Sequence, residues 1–330
     1  MSEGQTDNEA GQGRLVAVVV THNRLAKLTD TIARLLDSPP EALAAVVVAD
    51  NASTDGTETF LAAQSDPRLC VLRSEDNTGG AGGFMRAMRH AMEHLAPDWL
   101  VLMDDDGRPA PGCLEAFHAM ELSGWDGLAA AVYFPTGEIC EMNRPSRNPF
   151  WHLEVFLRTG LRLGGRSGFH IGPGNYAATE PHAIDIASFV GFFLRADTVR
   201  AIGFPDPSLF VYGDDGLYTL RIRQSGRRLA FHPGLRFEHD MGTFDSGQRG
   251  RFHPLWKVYF YHRNLLMLYR AAAGPLFWPL LLLVLPKWLL KVRAHRGDGR
   301  VFLRLMRHAI ADGLRHDTRR TLADIERLAE

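Results

Sequence analysis

Three adjacent carboxylates, Asp104-Asp105-Asp106, follow the apolar run Leu100–Met103, itself preceded by Trp99. Such a run reads as a strand buried on both faces, as in a parallel sheet. In an open α/β sheet, ligands bind outside the carboxyl ends of the strands, which is where this triplet falls. Three like charges at one point repel each other unless a cation lies among them. A hard divalent ion is the simplest such cation, and ions of that kind keep company with phosphates. A solvated acidic loop is the competing reading of the triplet alone.

The residues upstream repeat the pattern. Val16–Val20 is an apolar run ending in Thr21-His22-Asn23-Arg24, followed by a helix with Leu25, Leu28, Ile32, Leu35 and Leu36 on one stripe. Ala45–Ala49 is a second strand, ending at Asp50. Leu69–Leu72 is a third, followed by Asn77-Thr78-Gly79-Gly80-Ala81-Gly82-Gly83 and a helix marked by Phe84, Met85, Met88 and Met92. Strands alternating with helices predict a doubly wound α/β sheet. A dinucleotide fingerprint would stand directly after the first strand. No glycine stands there, Met85 occupies the place of that pattern's last glycine, and no Walker A loop occurs. NAD-dependent and ATP-hydrolase chemistry are excluded on these grounds.

Taken in order, these motifs resemble the inverting family 2 glycosyltransferases with a GT-A fold, over roughly Leu15 to Arg270. Val18-Val19-Val20-Thr21-His22-Asn23-Arg24 and the run from Val48 to Thr57 resemble the family's nucleotide-binding strands, and Met103–Asp106 its metal-binding motif. Ser188–Arg195 with Ile202-Gly203-Phe204 resembles the acceptor-side strand and helix. Phe210–Asp215 resembles the segment with the catalytic base. The glycine-rich run at Asn77–Phe84, the Asp triplet and Tyr261-His262-Arg263-Asn264 are most similar to bacterial galactofuranosyl- and rhamnosyltransferases of cell-wall or polysaccharide biosynthesis. The resemblance implies a GT-A Rossmann-like, mostly parallel sheet with helices on both faces and a helical C-terminal appendage. It implies transfer of galactofuranose or rhamnose, with inversion, from a UDP- or TDP-sugar to a glycan or polyprenyl-linked acceptor.

Such transfer needs the departing nucleoside diphosphate stabilised and the acceptor hydroxyl deprotonated. Asp104 and Asp106 alternate along the chain and could hold Mn2+ or Mg2+, while Asp105 could reach the ribose or sugar. His239, after the short strand Leu235–Glu238, is the third candidate ligand, and the resemblance places a metal-binding histidine there. A histidine hydrogen-bonded at the sheet edge is the alternative. Asp214 and Asp215 open a helix marked by Leu217, Leu220 and Ile222, so either could be only a cap on the helix dipole. The family pattern gives the base to Asp215 and sets Asp214 nearer the acceptor or cap; Gly216 follows where relatives often carry another acid. Thr21 and Arg24 suit base and diphosphate contacts, and Asp50 suits the pyrimidine or ribose. Asn77, Gly79 and Gly80 suit an anion at a helix N-terminus, and Asp104 completes the expected nucleotide side. Asp50 and Asn77 are also ordinary turn residues.

A formal net charge of −1 gives no indication of nucleic acid as a partner. Cys70, Cys113 and Cys140 lack metal-ligand spacing and suggest a reducing compartment. Residues 1–13 are polar, unlike a secretion signal, and are expected to be disordered. Residues 14–250 are the expected catalytic domain and 251–330 a helical region. Between Phe134 and Ala183 the apolar periodicity disappears, which predicts an irregular substrate loop. Pro275–Leu290 is almost wholly apolar and broken by Pro279 and Pro286. Lys287–Arg320 carries ten Lys or Arg against three Asp. Within it Phe302, Leu305, Met306, Ala309 and Ile310 share a helical face opposite Arg300, Arg304 and Arg307. That pattern predicts a helix lying on an anionic membrane, with a docking or dimer helix as the alternative. The expected location is cytoplasmic, peripheral on the inner face of the cell membrane. Two other functions stay open to test. A sugar-nucleotide pyrophosphorylase would want a glycine-rich basic loop after the first strand, which is absent. A non-catalytic relative would be expected to lose one of the two acidic motifs, and both are intact.

Overall fold

The computed structural model describes residues 13–162, 165–241 and 251–330. The expected disorder of residues 1–13 lies outside these, except for Gly13, as does the 242–250 stretch that closes the expected catalytic domain. Nine strands form one sheet: β1 (Leu15–Thr21), β2 (Ala45–Asp50), β3 (Leu69–Arg73), β4 (Trp99–Asp104), β5 (Gly107–Pro109), β6 (Gly127–Tyr133), β7 (His182–Ile184), β8 (Phe192–Arg195) and β9 (Leu229–His239). Their order is β3-β2-β1-β4-β8-β6-β9-β5, with β7 also paired to β9. The β3-β2-β1-β4 half is parallel throughout, as the uninterrupted apolar runs predict. Its other half is mixed, because β8 runs antiparallel between β4 and β6.

Side-chain alternation along β1 shows why both faces are covered. Leu15, Ala17 and Val19 pack with α1 (Leu25–Leu36), α2 (Thr57–Ala62) and, further along, α4 (Cys113–His118). Val16, Val18 and Val20 share the opposite core with α3 (Gly79–His94) and, towards β8, with α7 (Ala196–Ile202) and α8 (Asp214–Gln224). The 134–183 segment departs from the expected irregular loop. It forms α5 (Leu153–Leu161) and one short turn of helix, α6 (Pro173–Tyr176). Leu153, Phe156, Leu157 and Leu161 do recur at helical spacing, but they face solvent, so the stripe did not register as core.

The C-terminal helices are α9 (Lys257–Ala273), α10 (Phe277–Leu289), α11 (Gly299–Arg315) and α12 (Leu322–Ala329), around a core of their own. The reading of α11 as a helix on lipid is corrected. Phe302, Leu305, Met306 and Ala309 are fully buried in this core, and Tyr259 of α9 donates to Asp312 of α11 at 2.8 Å. An apolar stripe already covered by protein has none left to give a bilayer. The exposed apolar surface lies on α10 instead, at Trp278, Leu282, Leu283 and Leu289.

Candidate active site

The Asp triplet stands at the carboxyl end of β4, as its sequence position predicts. Asp105 accepts from the hydroxyl of Thr21 at 2.7 Å, and its carbonyl accepts from Thr31 of α1 at 2.7 Å. Arg24 pairs with Asp106 and lies 3.5 Å from Asp105. The β5–β9 ladder sets Gly107 opposite His239, which brings His239 Nε2 to 3.1 Å from Asp106 Oδ1. Asp104 has no hydrogen-bond or ion-pair partner among the described residues, although its neighbours are fully engaged.

The charges shift accordingly. Burial, then the fields of Asp106 and Asp105, push Asp104 up to about 7. Burial also raises Asp105, to about 6, against the opposing pull of Arg24 and Thr21. Burial penalises Asp106 too, yet His239 and Arg24 hold it below the usual carboxylate range. Burial works against a charged His239, but its hydrogen bonds to Asp106 and Cys140 and the nearby carboxylates raise it to about 9.

A layer unseen in the sequence orients that imidazole. Nδ1 lies 2.7 Å from Asn143 Oδ1, Cys140 donates to the same oxygen at 2.9 Å, and Asn143 Nδ2 donates to Ser188 Oγ at 3.0 Å. An amide oxygen can only accept, so Nδ1 carries a proton and Nε2 faces Asp106. Cys140 and Asn143 come from a segment carrying no motif, Ser188 opens the run that resembles the acceptor-side strand, and only their meeting in space gives them this role.

Asp214 and Asp215 begin α8, directly after Gly213 at φ +75°. Burial, then Asp215 and Asp104, raise Asp214 well above the ordinary value, so the acidic pair and the β4 triplet share one field. Asp215 is half-buried and pushed up to about 6 by burial, against the N–H of Gly216, which donates to its Oδ1 at 2.6 Å. The approach to the pair is strained, since Phe210 and Tyr212 both have left-handed backbones, φ +67° and +68°. One side chain of α9 holds it: Asn264 Nδ2 lies 2.9, 2.9 and 2.8 Å from the carbonyls of Leu209, Val211 and Tyr212. Arg263 donates to Leu209 O at 2.9 Å and to Asn264 Oδ1 at 2.8 Å. Gly79, at φ +71°, closes the other side, where a Cβ would stand 2.1 Å from the Phe210 carbonyl oxygen.

Two expected nucleotide contacts sit differently. Thr21 and Asp50 are each 1 % exposed. The Thr21 hydroxyl is taken by Asp105, while Asp50 pairs with Arg73 at 2.7 Å and accepts from Ser53 N at 3.0 Å. Both are engaged within the protein, at the paired ends of β1 and β2. Asn77 caps Gly79 N at 2.9 Å, a turn contact. Gly80 has open space around its α-carbon, and Arg24 is 52 % exposed at the side chain.

Comparison with known proteins agrees with this geometry. The Glycosyl transferase family 2 model matches residues 16–178. Galactofuranosyltransferase GlfT1 of Mycolicibacterium smegmatis is 32 % identical over 263 residues, covering 75 % of this chain and 80 % of that protein. The chain belongs to glycosyltransferase family 2. It is a transferase. Undecaprenyl-phosphate mannosyltransferase of Micrococcus luteus is 27 % identical over 69 % of this chain and 86 % of its own length. In fold, the chain resembles the mannosyltransferase PcManGT of Pyrobaculum calidifontis, solved with GDP-Man and Mn2+. The TM-score is 0.51 at 17 % identity, over 98 % of this chain and 80 % of that one.

Proposed function

We propose that this glycosyltransferase moves galactofuranose from a UDP-sugar to a hydroxyl of a polyprenyl-linked glycan, with inversion, at the inner face of the membrane. The observation that carries the reading is the convergence of two acidic motifs, with Asp214 in the field of Asp104. The galactofuranosyltransferase relative favours that sugar, and TDP-rhamnose is the comparison donor. The catalytic unit is the 14–250 domain together with α9, whose Arg263 and Asn264 hold the Asp214 approach.

The donor types suit a divalent ion, although no group of three His, Cys, Asp or Glu among the described residues is already placed to hold one. Asp106 Oδ1 and His239 Nε2 are 3.1 Å apart, close to the spacing of two ligands each about 2.1 Å from one ion. Asp104 is an unpartnered carboxylate beside them, and the Asn143 contact to Nδ1 is the usual support for a histidine ligand. Asp104, Asp106 and His239 would hold Mn2+ or Mg2+, which when bound offsets charge on the departing diphosphate. Arg24, exposed at the mouth, contacts the diphosphate once it leaves the carboxylates, and the open backbone at Gly80 lets an anion approach. Thr21 and Asp50 act one layer back, fixing Asp105 and Arg73.

Asp215 accepts the proton of the acceptor hydroxyl as that oxygen attacks the anomeric carbon and the carbon–oxygen bond to the diphosphate breaks. A carboxylate near 6 is ionised at neutral pH and still basic enough for this task. Asp214, held above the ordinary carboxylate range by burial and by Asp215 and Asp104, stands beside it on the acceptor or cap side. The test supplies UDP-galactofuranose and TDP-rhamnose with a polyprenyl-linked acceptor, with Mn2+, Mg2+ or EDTA, and reads the product's anomeric configuration by NMR. Retained configuration, or full turnover in excess EDTA, overturns the reading.

A further inference from the structure

Two apolar helix faces remain bare in this structure, each on a helix tied to α9 or its core. On α5, Val155 is the buried anchor, while Leu153, Phe156, Leu157 and Leu161 are exposed, Leu161 to 87 %. On α10, Phe277 and Leu281 face the tail core, and Trp278, Leu282 and Leu283 are exposed, Leu282 to 77 %. Both helices border α9. Asn148, just before α5, donates to Ala272 O at the end of α9 at 2.9 Å, and Phe150 packs into the tail core. Arg166, just after α5, acts electrostatically on Tyr261 and Tyr269 of α9, and the Tyr269 ring stacks on Trp288 of α10 at 6.0 Å.

The flanks of both faces are basic. Residues 144–166 carry five Arg against one Glu, and 275–296 carry four Lys or Arg with no acid. Arg147 pairs with Glu154 and the largely buried Arg144 with Glu141, so the net positive charge beside α5 comes from Arg158, Arg162 and Arg166. Exposed leucines and aromatics beside a net positive charge match an anionic lipid surface, where apolar burial and charge attraction act together. Helical backbone runs on from Lys257 to Ala294, long and apolar enough by length and composition to cross a membrane. Phe277, Leu281 and Trp288 of α10 nevertheless pack into the tail core, which holds that helix along the protein's surface and favours the interface.

We propose that α5 and α10 form a two-part docking face for an anionic bilayer, α5 being a second insertion point. Two separated contacts fix the tilt of the sheet against the membrane, whereas one helix alone leaves the body free to swing. The proposal rests on the membrane reading of the tail and adds α5 to it.

Full-length protein is sedimented with phosphatidylglycerol/phosphatidylcholine vesicles and with phosphatidylcholine alone, at low and high salt. Three forms are compared: wild type, L153E/L157E on α5, and L282E/L283E on α10. Each pair sits in solvent, and a thermal melt checks that the variants fold as wild type. The expected result is at least about tenfold weaker partitioning to anionic vesicles for either variant, since each removes two insertable leucines. An L157W variant should show emission quenched by brominated lipid. If L153E/L157E partitions as wild type while L282E/L283E is released, α5 is no insertion point and the tail reading survives alone. If wild type ignores anionic vesicles, the membrane reading itself fails. If L153E/L157E instead abolishes self-association by light scattering with vesicle binding intact, the α5 face is a protein contact.

Discussion

Replacing Asn264 with alanine tests how the acidic pair is positioned. The side-chain amide shares two protons among three carbonyls, and its oxygen takes one donor from Arg263. Each lost hydrogen bond costs about 0.5–1.5 kcal/mol net, and each carbonyl left buried and unpaired adds about 1–3 kcal/mol. Holding Phe210 and Tyr212 left-handed costs about 1–3 kcal/mol apiece, so relaxing the loop recovers as much as the lost bonds supplied. The cheaper response is therefore local: residues 208–213 relax and Asp214-Asp215 shifts, while the sheet stays folded. A misplacement of about 1 Å lowers the rate by about 10²-fold. N264A should lose about that much in kcat with nucleoside diphosphate affinity little changed. N264D, which keeps the oxygen for Arg263 but has no proton to give, should match it. Hydrogen exchange at residues 208–216 should quicken in both. Faster exchange with kcat within about twofold of wild type would refute the link between loop and chemistry. Unchanged exchange would refute the role of the amide itself.

Other outcomes follow from the same geometry. D106N should abolish metal-dependent nucleotide binding and most activity, read by calorimetry with UDP and Mn2+; undiminished metal-dependent affinity would remove Asp106 from the site. D215N should lower transfer by about 10²-fold or more and spare UDP affinity, and an equal loss in D214N alone would move the base to Asp214. With Asp215 as the proposed base and raised to about 6, kcat should rise as pH passes upward through about 6 and level off above it. A metal taking His239 Nε2 must displace a proton held up to about 9, so metal affinity should climb from pH 6 towards 9. Calorimetry in buffers of different ionisation enthalpy should then report proton release at neutral pH.

Strand–helix alternation was legible because the β3-β2-β1-β4 half is buried on both faces, so its apolar runs are uninterrupted. The acidic motifs were legible because each stands directly at the end of an apolar run. What escaped was whatever depends on distant segments meeting. Cys140 and Asn143 carry no pattern, Ser188 was read only as the start of the acceptor-side run, and only the placement of β9 beside β5 turns the three into a mount for His239. Arg263 and Asn264 lay inside a recognised run, but their work is on backbone carbonyls 50 residues away. The stripes on α5 and α11 were misjudged for one reason: helical spacing of apolar residues says that a face exists, and not what covers it. On α11 that cover is α9, whereas on α5 Phe150 meets only Phe156 and the leucines stay exposed.

Arg24 and an imidazolium at His239 together set two positive charges against the three aspartates of the β4 triplet. The protein thus carries its own counterions. Its acidic corner keeps its shape without a borrowed cation, unlike metal sites whose folding requires the ion. Under the proposed reading, a divalent ion would have only to displace a proton and one exposed guanidinium, and without it Arg24 and His239 would again balance the carboxylates.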